Sequence, residues 1–469
     1  MSDTKMFKSL VEKGNETGEV VYSDRFLAHV NGLEKAMVGS VVIFEDGSTG
    51  LIQGIFEDYA EVLNLSTEII NIGTLVVAKS EEISVKVSKD MLGRIVDPLG
   101  RPVDGLGIFP KTQEQKIFGK AMAFKDRAIL STQLETGITL VDTLFPVVYG
   151  QRIAIMGDTK SGKTTFLTQI AINQARKGKI IVYVLIGKRK ADIEVMINRF
   201  TSAKVKDKIV LVLADVFDSL PVTYLAPYSG CTIAEFFWHS GEDVIIIYDD
   251  LSSHAKAYRE LSLLMRKNPG REAYPGDMFY VHSSLLERAG KILSNGKTLT
   301  SLPVSVTPND DITGFLSTTL ISITDGQIIF DNNIMRQGIK PAINVGISVS
   351  RVGGRGQTKT ARYIARIVSS YLANYRTTLE TSRFVSEQSN EAKATIRIGE
   401  RIYGIFGQNP NELFTLIEEQ IMLQVALGSG DIDNLDIDRL KATVKSIPTK
   451  EKGDKNIDEI VQKIIAAES

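Results

Sequence analysis

Residues 152–164 are RIAIMGDTKSGKT, and the architecture of the central part of the chain can be inferred from this stretch. Its first half is a continuous apolar run, which is typical of a strand buried on both faces of a parallel sheet. Its second half, Gly157–Thr164, fits the pattern GxxxxGK followed by Ser or Thr, and it leads into a segment of helical period. A glycine-rich turn between a buried strand and a helix predicts a phosphate-binding loop.

The residue types of this loop suit phosphate chemistry. Glycines allow successive backbone N–H groups to face phosphate oxygens, and the N-terminus of the following helix adds a partial positive charge. Lys163 is expected to reach the β- and γ-phosphates, and the Thr164 hydroxyl is expected to bind Mg²⁺. An ordinary glycine turn would not explain why Lys and Thr both follow the last glycine. The predicted phosphate-binding residues are Gly157, Asp158, Thr159, Lys160, Ser161, Gly162, Lys163, Thr164 and Thr165.

Further buried runs follow along the chain, at 179–187 (KIIVYVLIG), 208–215 (KIVLVLAD) and 243–250 (DVIIIYDD). Each precedes a segment of helical period, and this alternation predicts an α/β domain with a mainly parallel sheet. The last run ends in two carboxylates. Asp249 is expected to orient the water shell of Mg²⁺, and Asp250 is expected to cap the next helix.

The pattern changes on both sides of this central part. Between residues 18 and 78, short β-branched runs alternate with glycine-rich turns, which is typical of a small β-barrel or sandwich. After Gly356 the strand-like runs give way to amphipathic helices. We therefore predict a multidomain chain: a short N-terminal arm and β-barrel at 1–75, a nucleotide-type α/β domain at 76–356 and a helical domain at 357–469.

Composition excludes several classes of protein. The 469 residues include 55 Lys and Arg against 56 Asp and Glu, so the chain is no general polycation for nucleic acid. One Cys and four His exclude a disulfide framework and argue against a zinc site. No apolar run approaches the ~20 residues of a membrane span, and residues 1–18 lack the apolar core of a signal peptide. We expect no targeting sequence, no transmembrane segment and no nucleic-acid partner.

Longer blocks carry a family resemblance. They are YLAPYSGCTIAEFF at 224–237, IIIYDDLSSHAKAYRELSLLMRK at 245–267, PGREAYPGDMFYVHSSLLERAG at 269–290 and IKPAINVGISVSRVGGRGQTK at 339–359. These blocks resemble the α subunits of F-type ATP synthases. The sequence ISVSRVGG at 347–354 favours the α subunit over the catalytic β subunit.

The resemblance implies a β-barrel crown, a RecA-like P-loop domain and a C-terminal helical domain. It also implies an α₃β₃ ring with β-type catalytic subunits around a γ-type central stalk, with a δ-type stalk subunit as a further candidate partner. The expected location is peripheral, on the cytoplasmic side of the cell membrane. The expected ligands are ATP or ADP with Mg²⁺.

Two residues acquire expected roles from this resemblance. Arg351 matches the arginine that enters the neighbouring β-type active site, although a local salt bridge is the ordinary alternative for a loop arginine. Lys188 follows the second sheet strand, where β-type relatives place a water-positioning Glu and α-type relatives usually place Gln. A lysine is cationic at its usual pKa and cannot serve as that base, so this chain is expected to bind nucleotide without hydrolysing it. A phosphate clamp and a surface lysine both remain open for Lys188.

The adenine side of the expected nucleotide site departs from the family. Met335 stands where an aromatic residue is usual, and Lys340 replaces the usual Arg before Pro341. Methionine can still pack against a purine, whereas lysine keeps the charge but loses planar stacking. Gln408 is the nearest candidate for the family's adenine-contacting glutamines.

Two alternatives remain. A specialised F1-like complex, driving motility or surface transport, is favoured by Lys188 and by a short N-terminal arm whose apolar face is limited to Met6, Phe7, Leu10 and Val11. A Rho-like RNA-dependent hexameric ATPase shares the P-loop and the barrel, but the balanced charge and the ISVSRVGG block argue against it. Elsewhere, Phe236–Trp238 are expected in the core, and Glu287 and Arg288 are expected to form an ion pair with each other.

Overall fold

A computed structural model describes residues 3–382, 390–428, 435–448 and 456–468. The chain forms two compact units. The first unit consists of Met1–Ala128, Gly178–Val306 and Ile312–Ile323, and the second consists of Ile129–Lys177, Thr307–Asp311 and Thr324–Ser469.

The strands are numbered in chain order. They are β1 Thr17–Ser23, β2 Leu27–Asn31, β3 Ser40–Phe44, β4 Thr49–Ile55, β5 Ala60–Asn64, β6 Leu75–Glu82, β7 Ser84–Val87, β8 Ile95–Val96, β9 Gln113–Lys116, β10 Gln133–Leu134, β11 Val147–Val148, β12 Ala154–Gly157, β13 Ile180–Lys188, β14 Ile209–Asp215, β15 Val244–Asp249, β16 Gly290–Lys291, β17 Thr298–Val306, β18 Gly326–Ile329 and β19 Val349–Ser350.

The helices are numbered in the same way. They are α1 Asp3–Glu12, α2 Thr139–Leu144, α3 Lys163–Arg176, α4 Lys190–Ser202, α5 Leu220–His239, α6 Leu251–Leu264, α7 Met278–Leu286, α8 Phe315–Ile323, α9 Asn332–Arg336, α10 Lys359–Ser382, α11 Asn390–Phe406, α12 Leu416–Gly428, α13 Ile437–Ser446 and α14 Ile457–Glu468. None of the helices in the described part of the chain combines the length and apolar character that a membrane span needs.

The first unit begins with a closed six-stranded barrel in the order β1-β2-β5-β4-β3-β6. Its core consists of side chains such as Val20, Val42 and Val62, which the strands turn inward. At Gly50 an added Cβ would lie 2.5 Å from Val62 and 2.9 Å from Val42, so only glycine fits there. Because β6 runs to Glu82, the barrel extends past the predicted boundary at residue 75.

The rest of the first unit contains a parallel sheet in the order β17-β15-β13-β14-β8. Its central strands are buried along almost their whole length, as their continuous apolar runs predict. Helices α5 and α6 pack against it, and Phe236–Trp238 lie in its core as expected. Strands β13 and β15 are neighbours, with Leu185 opposite Asp249, so their carboxyl ends lie side by side.

The second unit holds the predicted phosphate loop and the C-terminal helices. Strand β12 pairs with β18 in parallel, and β18 pairs with β19 in antiparallel orientation. Helix α12 contacts α10, α11, α13 and α14, so the C-terminal part is helical as predicted. The sequence therefore predicted the fold class correctly: an N-terminal barrel, a central part with mostly parallel strands and a C-terminal helical part.

Among the buried titratable side chains of the described residues, one pair from each unit has strongly shifted pKa values. In the first unit His254 Nδ1 lies 3.2 Å from His282 Nε2, and burial lowers the pKa of His282 to about 3. In the second unit burial raises the pKa of Asp142 to about 7, although hydrogen bonds from Thr136 oppose this. Burial and the neighbouring Asp142 also raise the pKa of Glu419 well above its usual value. Both pairs therefore favour an uncharged member in the folded state.

Candidate nucleotide-binding site

The loop between β12 and α3 has the compact geometry that its sequence predicts. Gly157 has φ 151° and Gly162 has φ 101°, backbone angles that glycine adopts most readily. A Cβ at Gly157 would lie 2.7 Å from the Cβ of Phe330 and 2.9 Å from Ser161 Oγ. Both glycines are therefore needed for the curl that turns the backbone toward the start of α3.

Lys163 is buried within this loop. Its Nζ donates to the carbonyl oxygens of Gly157 at 2.7 Å and Asp158 at 2.6 Å, and to Ser161 Oγ at 3.3 Å. These three acceptors carry no formal charge. The first N–H groups of a helix lack acceptors within the helix, so the start of α3 adds further donors beside the ammonium. The arrangement suits an anion such as a phosphate.

Asp158 and Thr164, on either side of Lys163 in the loop sequence, have different roles in the structure. The side chain of Asp158 accepts hydrogen bonds from the N–H groups of Thr159 at 2.6 Å and Asn309 at 2.9 Å, so it holds the loop in shape. Thr164 is exposed at the start of α3, while its carbonyl oxygen accepts from Thr168 Oγ1 at 2.7 Å. The exposure of Thr164 at the start of α3 is compatible with the predicted role of its hydroxyl as a Mg²⁺ ligand, which stays a prediction.

A cavity of about 140 Å³ lies beside the loop in the second unit. It brings together seven of the predicted nucleotide-binding residues: Ser161, Gly162, Thr165, Met335, Lys340, Pro341 and Gln408. Sequence analysis missed Ile138, Phe166 and Phe330, which give the cavity apolar walls. The two phenylalanine rings meet edge to face, with centroids 5.3 Å apart. Phe330 directly follows the buried run of β18, so its position at a strand end was the available signal.

Gln408 lines this cavity, and its side-chain amide is hydrogen-bonded to backbone groups. Its Oε1 accepts from the N–H of Thr139 at 2.7 Å, and its Nε2 donates to the carbonyls of Gly137 and Glu412, both at 3.0 Å. Its own N–H donates to the carbonyl of Lys340 at 2.9 Å. Gln408 therefore fixes the wall of the cavity, and its role in contacting a base stays a prediction.

In the first unit Lys188 pairs with both acids at the end of β15. Its Nζ lies 2.7 Å from Asp249 Oδ1 and 3.0 Å from Asp250 Oδ2. Burial disfavours the charged lysine, but the two carboxylates outweigh that effect and raise the pKa of Lys188 above its usual range. The sequence left two roles open for Lys188, a phosphate clamp and a surface lysine. Its pairing with Asp249 and Asp250 was not among them.

The remaining carboxylate oxygens of the two acids also have partners. Tyr183 Oη donates to Asp249 Oδ2 at 3.1 Å, and the N–H of Ser253 donates to Asp250 Oδ1 at 2.7 Å. The second contact makes Asp250 the N-cap of α6, as predicted. In the described residues no group of three or more acidic, His or Cys side chains could hold a metal ion. The contacts of Asp249 do not fit direct ligation of Mg²⁺, and its metal role stays a prediction.

Arg351 directly follows β19 and is exposed in the chain. Its N–H donates to the carbonyl of Asp325 at 3.0 Å, and its guanidinium donates to the carbonyl of Thr324 at 3.3 Å. The Asp325 carboxylate also pairs with Arg152, at 3.0 Å. Gly353 lies two residues after Arg351, and a Cβ at this position would lie 1.7 Å from the carbonyl oxygen of Pro146. Only glycine permits this close approach, which anchors the loop that carries Arg351.

Comparison with known proteins gives matches over most of the chain. The family model of the ATP synthase alpha/beta family, nucleotide-binding domain, matches residues 137–350, and that of the ATP synthase alpha/beta chain, C terminal domain, matches residues 357–469.

Similar relatives are called ATP synthase subunit alpha. The protein of Neorickettsia sennetsu is 38% identical over 443 residues, which are 92% of this chain and 87% of the relative. That of Clostridium acetobutylicum is 38% identical over 91% of this chain and 85% of the relative. A Clostridium botulinum relative is 36% identical over 93% of this chain and 89% of its own length.

Proposed function

Because the chain belongs to the ATP synthase alpha/beta family as an alpha-type subunit of the ATPase complex, we propose that it binds ATP or ADP without hydrolysing it. The observation that carries the proposal is the joining of the Gly157–Thr164 loop to the adjoining cavity within one unit. The loop offers cationic and N–H donors for phosphates. The cavity offers Met335 and Phe330 for a base, since polarizable and aromatic side chains pack well on purines.

Three groups would divide the contacts with the phosphates. The Lys163 ammonium, now hydrogen-bonded to loop carbonyls, would move its bonds to phosphate oxygens. The N–H groups at the start of α3 would donate hydrogen bonds to the same phosphate oxygens. A Mg²⁺ ion bound with the nucleotide would supply additional charge neutralisation, and the exposed Thr164 hydroxyl is the residue proposed to hold it.

The absence of hydrolysis is proposed from Lys188, the last residue of β13. A water-positioning base is a carboxylate in the β-type relatives, and here that position is Lys188, which is already paired with Asp249. A cation tied to an acid can neither accept a proton from water nor orient it for attack. The test is steady-state hydrolysis and fluorescent-nucleotide binding by the purified full-length chain. Turnover that is lost in Lys163→Ala would contradict the non-catalytic assignment.

The second part of the proposal concerns Arg351, which we assign to the active site of a neighbouring β-type subunit. Its exposure and its anchored loop support a role across an interface, because a guanidinium is always charged and can bind phosphate oxygens in a bidentate manner. The proposed assembly is an α₃β₃ ring around a γ-type stalk, with a δ-type subunit as a further partner. Its proposed location is peripheral, on the cytoplasmic side of the membrane.

Reconstituted rings test this assignment. Arg351→Ala is expected to lower hydrolysis by about 10³-fold or more, because charge stabilisation at the transferring phosphoryl group is lost. Arg351→Lys should rescue only part of the rate, since an ammonium lacks the planar fork. Arg355→Ala is the matched control, because Arg355 is an exposed arginine of the same loop. Normal turnover in assembled Arg351→Ala rings would refute the assignment.

A specialised F1-like complex that drives motility or surface transport is the alternative within the same family. The Lys188 pairing with Asp249 and Asp250 favours it, because it departs from the Gln that α-type relatives usually carry. Native purification with identification of the bound partners separates the two: membrane-rotor and δ-type subunits would support the ordinary synthase. The family assignment gives no support to a Rho-like ATPase.

A further inference from the structure

We propose that Gln169, rather than Gln408, is the side chain that reads the edge of the base at the nucleotide site. The inference rests on the proposed nucleotide binding, and it concerns how that site recognises the base. Both glutamines line the cavity beside the phosphate loop, and both belong to the second unit. They differ in the hydrogen bonds that their side-chain amides make.

Both N–H donors of the Gln408 amide are in use. They point to the carbonyls of Gly137 and Glu412, each at 3.0 Å, and a glutamine amide has only these two donors. Its Oε1 accepts from the N–H of Thr139, and the residue is only 7% exposed. Glutamine pairs with adenine through one amide N–H and the amide oxygen together. Gln408 could form that pair only by giving up bonds that hold the cavity wall.

The Gln169 amide is bonded much less. Its Nε2 donates to the carbonyl of Asn409 at 3.4 Å, which is longer than the usual range for an N–H···O bond. Among the described residues this is the only hydrogen bond of the side chain, which is half-buried. Gln169 can therefore turn both a donor and an acceptor toward a ligand.

The position of Gln169 along α3 suits contact with a base rather than with phosphates. Ser161 and Gly162 belong to the phosphate loop, and Thr165 lies in the first turn of α3. Gln169 is four residues farther along the same helix face, which is about 6 Å along the helix axis. The base of a nucleotide lies beyond the ribose from the phosphates, so the displaced side chain is placed to meet that end.

The chemistry of an amide suits either purine. The amino group of adenine lies beside a ring nitrogen, so it presents a donor next to an acceptor. Guanine presents O6 beside N1–H, and the same amide can pair with it after rotating by half a turn. A carboxylate only accepts, so it can take N1–H and N2–H of guanine together but finds a single donor group on adenine. An acid in place of Gln169 should therefore favour guanine.

The experiment measures how unlabelled ATP and GTP displace a fluorescent ATP analogue, labelled with a methylanthraniloyl group on the ribose, from the full-length chain. Gln169→Glu should shift the ratio of the two inhibition constants toward GTP by at least about tenfold relative to the unmodified chain. Repulsion between the added charge and the phosphates affects both nucleotides and cancels in the ratio. Gln337→Glu is the matched control, because it makes the same change at an exposed glutamine that does not line the cavity, and it should leave the ratio unchanged.

A second measurement keeps the inference falsifiable if Gln169→Glu folds poorly. Purine riboside triphosphate is ATP without the 6-amino group, and it should bind the unmodified chain about fivefold more weakly than ATP. Gln169→Ala should remove that difference, because the amide that contacts the amino group is gone. In Gln408→Ala both nucleotides should weaken by a similar factor and the difference should remain, since Gln408 supports the wall.

An unchanged ratio of ATP to GTP in a folded Gln169→Glu would overturn the inference. Equal binding of ATP and purine riboside triphosphate by the unmodified chain would also overturn it, as would a difference that Gln408→Ala removes and Gln169→Ala retains. Failure of the proposed function has a different signature. It would appear as no binding of the fluorescent analogue, or as binding that Lys163→Ala does not weaken.

Discussion

Lys163, the first residue of α3, and Lys188, the last residue of β13, lie in different units of the molecule and have different kinds of hydrogen-bond partner. Lys163 donates to two carbonyls and a hydroxyl, which are neutral acceptors. Lys188 is paired with two carboxylates, so its charge is largely cancelled where it lies. The comparison shows that burial alone does not determine the partners of a lysine, because Lys163 meets neutral acceptors and Lys188 meets carboxylates.

The largest expected effect that tests this difference between the two lysines is the loss of nucleotide binding when Lys163 is removed. Lys163→Ala should weaken binding of the fluorescent ATP analogue by about 100-fold or more, because charge-assisted bonds to phosphate are lost. The exposed Lys160, in the same loop, provides the control Lys160→Ala, for which only a few-fold change is expected. Similar losses in both variants would show that the loop acts through general attraction rather than through Lys163.

The next largest effect is on stability and should appear for Lys188. Lys188→Gln is expected to lower the free energy of unfolding by about 2 kcal/mol, because it leaves two buried carboxylates without their cation. The double variant Lys188→Gln/Asp249→Asn should recover part of that loss, which a double-mutant cycle in denaturant would measure. Additive effects of the two substitutions would mean that the ion pair contributes little, and the contrast with Lys163 would then disappear.

The stability of the two units should also change with pH in opposite directions. The pH at which stability is lost therefore indicates which unit is affected. The pKa of His282 is lowered by burial, so the stability that the neutral ring provides is present above about pH 6.5 and is lost as the pH falls toward 3. The pKa of Asp142 is raised to about 7, so its contribution is present below about pH 4 and is lost as the pH rises through about 7. The pKa of Glu419 is also raised by burial, so its contribution is likewise lost as the pH rises.

Hydrogen exchange read by mass spectrometry at pH 5 and pH 8 would follow each unit separately. Glu419→Gln should stabilise the second unit by about 1 kcal/mol at pH 8 and have little effect at pH 5, because ionisation at pH 8 favours the unfolded chain, in which Glu419 has its ordinary pKa, over the folded chain, in which burial opposes ionisation. The first unit should be unaffected by this variant. An equal gain at both pH values would show that packing, and not the titration of this acid, sets the effect.

The smallest expected effect concerns a third lysine, Lys340, which is exposed at the cavity rather than buried. Lys340→Arg should strengthen binding of the ATP analogue by only a few-fold, since a guanidinium adds planar stacking to an already exposed charge. A cytidine analogue should gain less than the adenine probe if the cavity holds the base. Equal gains for both bases would place the added contact on the phosphates.

Local patterns in the sequence predicted most of the fold and the phosphate loop. The loop and the helix cap at Asp250 are formed by residues close in sequence, so spacing alone was sufficient. The pairing of Lys188 with Asp249 was not predictable, because it depends on β13 and β15 being neighbours in the sheet. Within the described chain, the prediction that Arg288 pairs with Glu287 was wrong. The two residues come just after α7 ends at Leu286, and Glu287 pairs instead with Arg127, at 3.7 Å.

Arg288 instead meets Glu235 of α5, with its Nε 2.8 Å from Glu235 Oε1. The cavity walls illustrate the same limit of sequence analysis. Met335, Lys340 and Gln408 were found through a family resemblance, whereas Ile138 and Phe166 are ordinary core-type residues in the sequence. Nothing in their local pattern distinguishes a side chain that packs inside a unit from one that lines a cavity.

The closed barrel has a consequence for the order in which the chain acquires structure during synthesis. All six strands of the barrel lie between Thr17 and Glu82, so this part has every hydrogen-bonding partner as soon as β6 leaves the ribosome. Strand β8, in contrast, pairs with β14, which begins only at Ile209. At ribosomal speeds of about 5–20 residues per second, the interval is on the order of 10 s. A nascent chain arrested between these points should therefore protect the barrel from protease while Ile95 and its neighbours are still cut.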